Sequence, residues 1–221
     1  MKYWLVIFLM FFVLLLGGCK EDKKQRVKPS EMNVKDLPDM RAFQDEFTRE
    51  LLQSTEETRE GYYLFMSGTG AYKMDFPAGG IVGEKGYGKV KERKEGYGIG
   101  ILSKYGLKSS IDVNFDSNKE SSNLNSYIDN LKQRLQKKVE FKEIKTQKDQ
   151  QTFYYSSFER NDLQTYAGYV QNNASSGGIQ VVYQIDCKAT TQLCDENKQE
   201  NLDQFINWLK SIEFVNENRS D

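Results

Sequence analysis

The sequence contains no histidine among its 221 residues. This absence excludes Ser-His-Asp and Cys-His catalytic groups, metal sites built on imidazole, and switching by histidine protonation near neutral pH. A large excess of one charge is also missing, because 31 Lys and Arg residues face 32 Asp and Glu residues. Nucleic-acid-binding proteins usually carry a basic excess, so we expect no nucleic-acid partner.

A long apolar run is present at the start of the chain, but it is too short to cross a membrane. It occupies positions 3–16, which makes 14 residues. A spanning helix needs about 18 or more apolar residues, whereas this length is typical of a secretory signal peptide. The run ends in Leu16-Gly17-Gly18-Cys19, which resembles the lipobox of bacterial lipoproteins. The alternative is an ordinary signal anchor in which the cysteine is incidental.

The lipobox resemblance implies where the protein resides. Cleavage falls before Cys19, residues 1–18 are the signal peptide, and Cys19 becomes the lipidated N-terminus. We therefore expect a protein held through Cys19 on the extracytoplasmic face of a cell membrane. Two acyl chains on one cysteine bind a membrane much more firmly than one, since each buried methylene contributes about 0.8 kcal/mol.

Residues 19–38 are predicted to form a flexible, charged tether. In the segment 20–39, eleven of twenty residues are charged, and two of the chain's three prolines lie there. Such a segment cannot bury enough apolar surface to offset the entropy lost on ordering. The remainder, 39–221, has the length of one domain, and a hydrophobic content of 38% suffices for one core.

The pattern of apolar residues predicts helices alternating with strands. Helical spacing predicts an amphipathic N-terminal helix from Met40, with Gly61 ending the pattern, a middle helix over 124–138, and a last helix over 195–211 with Asp195 as N-cap. Short or alternating apolar runs predict strands at 62–66, 72–76, 96–102, 109–115, 139–144, 153–159, 163–171 and 179–186. Short connections favour an α+β fold, an antiparallel sheet with helices packed on it.

From position 72 to 215 this order resembles the PsbP-like α/β/α sandwich. The resemblance is carried by the opening strand and proline at 72–77, the middle helix, the strand series over 139–186, and the closing segment 205–214. That fold includes photosystem accessory proteins, Ran-binding Mog proteins and many bacterial lipoproteins. The resemblance implies a protein that assists, binds or assembles, and it carries over no catalytic residues.

The two remaining cysteines, Cys187 and Cys194, are an even pair in a domain predicted to be exported. A disulfide is the natural interpretation. The alternative is two free buried thiols. A redox site would favour Cys-x-x-Cys spacing, and two cysteines without histidine make a poor zinc site.

A glycine-rich stretch over 79–100 contains two short GYG segments. It lacks the spacing of a phosphate-binding loop, so hairpin turns are the simpler interpretation. The functional alternative is a binding loop in which Tyr87, Tyr97 and Tyr105 offer stacking faces.

The acidic triplet Asp112-x-Asn114-x-Asp116 resembles the first half of an EF-hand loop. The loop's glycine and final glutamate positions hold Ser117 and Asn123, so the triplet is interpreted as the polar face of a strand. We expect neither a metal nor a cofactor.

The sequence does not select an activity. We expect a non-enzymatic binding or accessory module for a protein partner in the cell envelope. The first alternative is a cell-wall hydrolase, which requires a cleft holding two acids, at least one with a raised pKa. The second alternative is a lipoprotein that binds a small apolar ligand, which requires a large apolar pocket.

Overall fold

The computed structural model describes residues 27–103, 107–118, 124–146, 150–188 and 191–215. Short helices alternate with antiparallel strands, and the predicted α+β class is confirmed. The helices are α1 (Arg41–Gln44), α2 (Glu46–Leu51), α3 (Leu124–Leu135), α4 (Thr191–Glu196) and α5 (Lys198–Ser211). The strands are β1 (Leu52–Arg59), β2 (Tyr62–Met66), β3 (Tyr72–Pro77), β4 (Gly80–Val82), β5 (Gly88–Val90), β6 (Lys94–Leu102), β7 (Lys108–Asp116), β8 (Lys142–Ile144), β9 (Gln151–Arg160), β10 (Leu163–Asn172), β11 (Gly178–Asp186) and β12 (Glu213–Phe214).

The smaller sheet has four strands in the order β1-β2-β3-β12. A tight turn joins β1 to β2 at Gly61, whose φ of 74° lies in the left-handed region that glycine adopts without strain. The N-terminal helix was predicted to continue to Gly61. This prediction is wrong for residues 52–59, because they form β1 and pair with β2. β12 completes the sheet with Phe214 opposite Tyr72, so the C-terminal segment packs onto the smaller sheet.

The larger sheet has eight strands. Seven lie in the order β4-β6-β7-β11-β10-β9-β8, and β5 pairs with β6 off this path. Neighbouring strands are antiparallel, and β9, β10 and β11 are paired along nearly their whole lengths. Each strand therefore sends alternate side chains to opposite faces of the sheet.

The alternation gives the larger sheet two different faces. β7 sends its apolar residues to one face and its polar residues to the other; these are Ile111, Val113 and Phe115, against Asp112, Asn114 and Asp116. Helix α5 and the smaller sheet cover the first face, here called the α5 face. Helix α3 covers part of the second face, the α3 face, through Leu131 and Leu135 against Ala167 and Val182.

The N-terminal helix is two short helices rather than one. Asp45 interrupts the helical backbone and caps α2, since its carboxylate accepts hydrogen bonds from the Thr48 amide at 2.8 Å and the Thr48 hydroxyl at 2.6 Å. Residues 29–38, assigned by composition to the tether, form two short 3-10 turns. Pro29 and Leu37 are buried there, so packed structure begins before position 39.

The C-terminal helix is also divided. The chain between α4 and α5 breaks at Asn197, so Asp195 lies inside α4 and is not the predicted N-cap of a single helix. Cys187 follows β11 and forms a disulfide with Cys194 of α4, with their Cα atoms 5.9 Å apart. The disulfide therefore ties α4 to the end of β11, a central strand of the larger sheet.

Candidate functional site

An opening of small-molecule size lies on the α5 face. It is a groove of about 680 Å³ at the seam between the smaller sheet and α5, and we call it the seam groove. Its floor and walls come from three elements: Tyr62 and Pro77 of the smaller sheet, Ile111 and Tyr183 of the larger sheet, and Phe205 and Trp208 of α5. The volume is in the range of small-molecule sites.

Trp208 fixes α5 to the smaller sheet at one side of the seam groove. Its indole Nε1 donates a hydrogen bond to the Asp75 carbonyl at 2.8 Å. The Asp75 amide donates to the Ser211 hydroxyl at 3.1 Å, and that hydroxyl donates to the Trp208 carbonyl at 2.6 Å. These bonds hold one end of α5 against β3 and keep the buried indole in the groove floor.

Helix α5 approaches the sheet closely at a second place, Gly168 of β10. A Cβ at this position would lie 2.8 Å from Leu209 Cδ1 and 3.1 Å from Phe205 Cζ. The absent side chain lets α5 sit low over β10. The aromatic ring of Phe205 then packs against both Tyr166 and Tyr183, with ring centroids 5.5 and 6.2 Å away. The floor of the seam groove is thus a set of rings fixed by packing.

Tyr62 forms the opposite wall. The Arg59 guanidinium lies over its ring, 3.4 Å from the centroid, and Arg59 Nε donates to the Asp75 carboxylate at 2.6 Å. The arginine therefore orients the tyrosine, and the arginine charge is balanced by Asp75.

Tyr183 lies across the groove from Tyr62, and burial raises the pKa of its hydroxyl. A hydrogen bond with Ser109 partly offsets this rise, and the nearby Tyr62 adds to it. The Tyr183 hydroxyl is uncharged at neutral pH.

The disulfide stands at the mouth of the seam groove, where Cys194 lines it. The buried Gln164 amide donates to the Cys194 carbonyl at 2.9 Å, and Asn201 donates to the Gln164 oxygen at 3.0 Å. These contacts position α4 and the first turn of α5. The rim of the groove is polar, formed by Ser103, Ser109, Asn197, Glu200, Asn201 and Gln204.

The proposed tyrosine loop is not assembled as the sequence suggested. Tyr97 is buried, and its hydroxyl shares a hydrogen bond of 2.9 Å with that of Tyr72. Tyr87 is half-buried and donates to the Glu95 carboxylate at 2.9 Å. Burial is the main cause that holds the pKa of Tyr97 well above its usual value, and Glu95 adds to it. The binding-loop prediction is wrong for Tyr97, because strand alternation in β6 turns the ring into the core; Tyr105 lies outside the described residues.

The acidic triplet lies on the outer polar face of β7, as strand alternation predicts. Asp116 forms an ion pair with Lys94 at 3.0 Å, so one of the three candidate ligands is already neutralised. Within the described ranges, no three acidic or cysteine side chains gather as metal ligands would. The same ranges contain no helix that is both long and apolar enough to span a bilayer.

The sequence did not predict the seam groove, because its apolar residues follow the same patterns as residues of the hydrophobic core. Tyr62, Phe205 and Trp208 belong to apolar patterns, and nothing in those patterns distinguishes a ring that is covered from one that lines an opening. The one available signal was the aromatic excess of 13%. Among the described residues that line the groove, Glu200 is the one carboxylate, so the pair of acids required for glycan hydrolysis is not assembled there.

Comparison with known proteins gives three findings. A family model described as "Putative lipoprotein YvcA" matches residues 38–213. A Bacillus subtilis (strain 168) protein of the same description is 31% identical, covering 95% of this chain and 96% of its own length. Among solved structures, the Ran-binding protein Mog1p of Saccharomyces cerevisiae is similar with a TM-score of 0.47 and 12% identity, over 70% of this chain and 96% of its own.

Proposed function

This chain belongs to the YvcA family of lipoproteins, and on that premise we propose that it is a lipid-anchored module that binds a ligand on the extracytoplasmic side of a membrane, without catalysing a reaction. The prediction that the chain belongs to a lipoprotein family is confirmed. The wider PsbP-like grouping stays a prediction.

The anchor is proposed from the leader and lipobox. Cys19 carries the lipid, and the charged residues that follow separate the membrane from the folded part. With Pro29 and Leu37 already packed, the separating segment is about ten residues long, from 19 to 28. A flexible chain of this length spans roughly 18 Å, so the domain stays close to the membrane.

The observation that carries a binding role is the seam groove. Its floor is built of rings held by packing and by the Trp208 hydrogen bond, so the opening exists before a ligand arrives. Preformed apolar sites bind small molecules with little loss of conformational entropy. The lining favours the apolar-ligand alternative over the hydrolase, because Glu200 has no second acid beside it among the described lining residues.

The anchor is tested by replacing Cys19 with alanine in the full chain and separating membranes from soluble fractions. We expect the wild-type protein in the membrane fraction and the Cys19→Ala variant to be lost from it. Lys20→Ala is the matched control, since it changes the neighbouring residue and leaves the lipobox complete. Undiminished membrane retention of Cys19→Ala would contradict the proposed anchor.

The binding role is tested in cells by site-specific crosslinking. A photoreactive residue in place of Gln204 reports on the rim of the seam groove, and one in place of Lys132 reports on the exposed side of α3. We expect a specific adduct at position 204 and none at 132. Adducts of the same kind at both positions would argue against the groove as the binding site.

A further inference from the structure

We infer that the seam groove binds a small amphipathic molecule whose apolar body lies on the aromatic floor and whose cationic head lies beside Glu200. This inference rests on the proposed binding function and adds the chemical class of the ligand. It joins two observations: the apolar floor of the groove, and the acidic character of one side of its rim.

The apolar body is argued from the floor. Tyr62, Ile101 and Tyr183 are half-buried and present apolar surface to the opening. The nearly completely buried Phe205 and Trp208 also line it. The described residues of the floor offer no charged group. An apolar body of small-molecule size displaces water from this surface, which is favourable roughly in proportion to the area covered.

The cationic head is argued from the rim. The Glu200 side chain is exposed, and one of its oxygens, Oε1, accepts a hydrogen bond from Gln204 at 3.2 Å. Neither lysine nor arginine occurs among the described residues that line the groove. Arg59 behind Tyr62 is paired with Asp75, so its charge does not favour an anion at the groove. An ammonium group beside Glu200 is attracted, whereas a carboxylate or phosphate is repelled.

The first two turns of α5 agree with this charge preference. Asp203 is also exposed there, and Lys198, the one cation of those turns, is paired with Glu159 at 2.5 Å. The side of the rim formed by α5 therefore carries net negative charge, with Glu200 as its member inside the groove. On the opposite side, the described residues contribute the hydroxyls of Ser103 and Ser109.

The experiment uses the fluorescence of Trp208 as the binding signal. The sequence has two tryptophans, Trp4 and Trp208, and Trp4 lies in the proposed signal peptide, so the lipidated protein that begins at Cys19 reports on the groove alone. The protein is held in nanodiscs of neutral lipid, so that the membrane does not concentrate either charge. The probes are octylamine, octanol and octanoate, which share one apolar chain and differ in the head.

We expect octylamine to bind about fivefold more tightly than octanoate, the ratio produced by one exposed ion pair, with octanol between them. Glu200→Gln should remove the difference between amine and carboxylate while leaving octanol unchanged. Glu196→Gln is the matched control, because Glu196 also accepts a hydrogen bond from a glutamine four residues away and does not line the groove. This control should keep the wild-type preference.

Four results would overturn the inference. If the wild-type protein binds octylamine and octanoate with equal affinity, the ligand does not need a cationic head. A preference that survives Glu200→Gln removes Glu200 as its cause. The Ser109→Phe variant places a phenyl ring in the groove, and circular dichroism checks that it is folded. If this variant binds the probes as tightly as the wild-type protein, the groove is not the binding site. If no probe binds but position 204 still crosslinks an envelope protein, the inference fails and the proposed binding function stands.

Discussion

The two faces of the larger sheet each leave an opening above β7, but the chemistry of the two openings differs. On the α5 face the seam groove is lined by rings, and β7 contributes Ile111 and, at its end, Ser109. On the α3 face a cleft of about 440 Å³ is lined by polar side chains, among them Asn114 and Asp116 of the same strand. One strand with strict alternation therefore supplies an apolar surface to one site and hydrogen-bonding groups to the other.

The difference extends to how each helix is held. Helix α5 is fixed by a side-chain hydrogen bond to β3 and by the close approach at Gly168, so it rests on two supports with the groove beside them. Helix α3 packs through the smaller aliphatic cluster of Leu131, Leu135, Ala167 and Val182. Gln180 of β11 also bonds to this helix twice, accepting from Arg134 at 3.1 Å and donating to the Tyr127 carbonyl at 3.2 Å. Both helices are therefore held by packing together with hydrogen bonds, and the faces differ in that α5 rests on aromatic rings whereas α3 rests on aliphatic side chains and a polar side chain of the sheet.

The strongest test of this comparison removes one support from each face. Trp208→Ala should lower the free energy of unfolding by about 3–5 kcal/mol and abolish amphiphile binding, because it deletes a buried ring and its bond to Asp75. Leu131→Ala should cost about 2–4 kcal/mol and leave binding intact. Urea unfolding followed by circular dichroism measures stability, and calorimetry with octylamine measures binding. Loss of binding in both variants would show that the two faces are not independent.

Much of the larger sheet could be predicted from the sequence because its strands alternate cleanly. In β11 the residues Ile179, Val181 and Ile185 share one face, and the structure places all three in the core. The helix at 124–135 was likewise visible from apolar residues at helical spacing. The local pattern of apolar residues predicts a helix or strand wherever one face of that element is buried and the other is exposed.

Other elements depend on contacts that no local pattern contains. Residues 52–59 include the polar run 54–59 and lack an apolar alternation, yet they pair with β2 across the turn at Gly61. The seam groove is assembled from residues more than one hundred positions apart, such as Tyr62 and Trp208. Their individual surroundings are apolar, and only the angle between the smaller sheet and α5 decides that an opening remains.

A second test concerns the mouth of the seam groove. Replacing both Cys187 and Cys194 with serine should lower the free energy of unfolding by about 2–3 kcal/mol, the value expected when a short loop is released in the unfolded chain. It should also weaken amphiphile binding, because α4 loses its tie to β11. Urea unfolding with and without a reductant measures the effect.

The matched control for this test is the reductant itself. It should destabilise the wild-type protein by a similar amount and leave the double variant unchanged. A reductant effect that persists in the double variant would mean that its target is not this disulfide. The α3 face contains no cysteine in its described part, so Leu131→Ala should retain the full response to reductant.

The smallest expected effect compares one tyrosine hydroxyl from each face. Tyr97, on the α5 face, shares a buried hydrogen bond with Tyr72, whereas the buried hydroxyl of Tyr169, on the α3 face, has no partner among the described residues. Tyr97→Phe should therefore destabilise the protein by about 1–2 kcal/mol, since the Tyr72 hydroxyl is left unsatisfied. Tyr169→Phe should be neutral or stabilising by up to about 1 kcal/mol, because it removes a group that is already unsatisfied. Both variants keep the ring stacking, so urea unfolding isolates the hydroxyl. If Tyr169→Phe is as destabilising as Tyr97→Phe, an ordered water satisfies the Tyr169 hydroxyl, and the two faces do not differ in how their tyrosine hydroxyls are bonded.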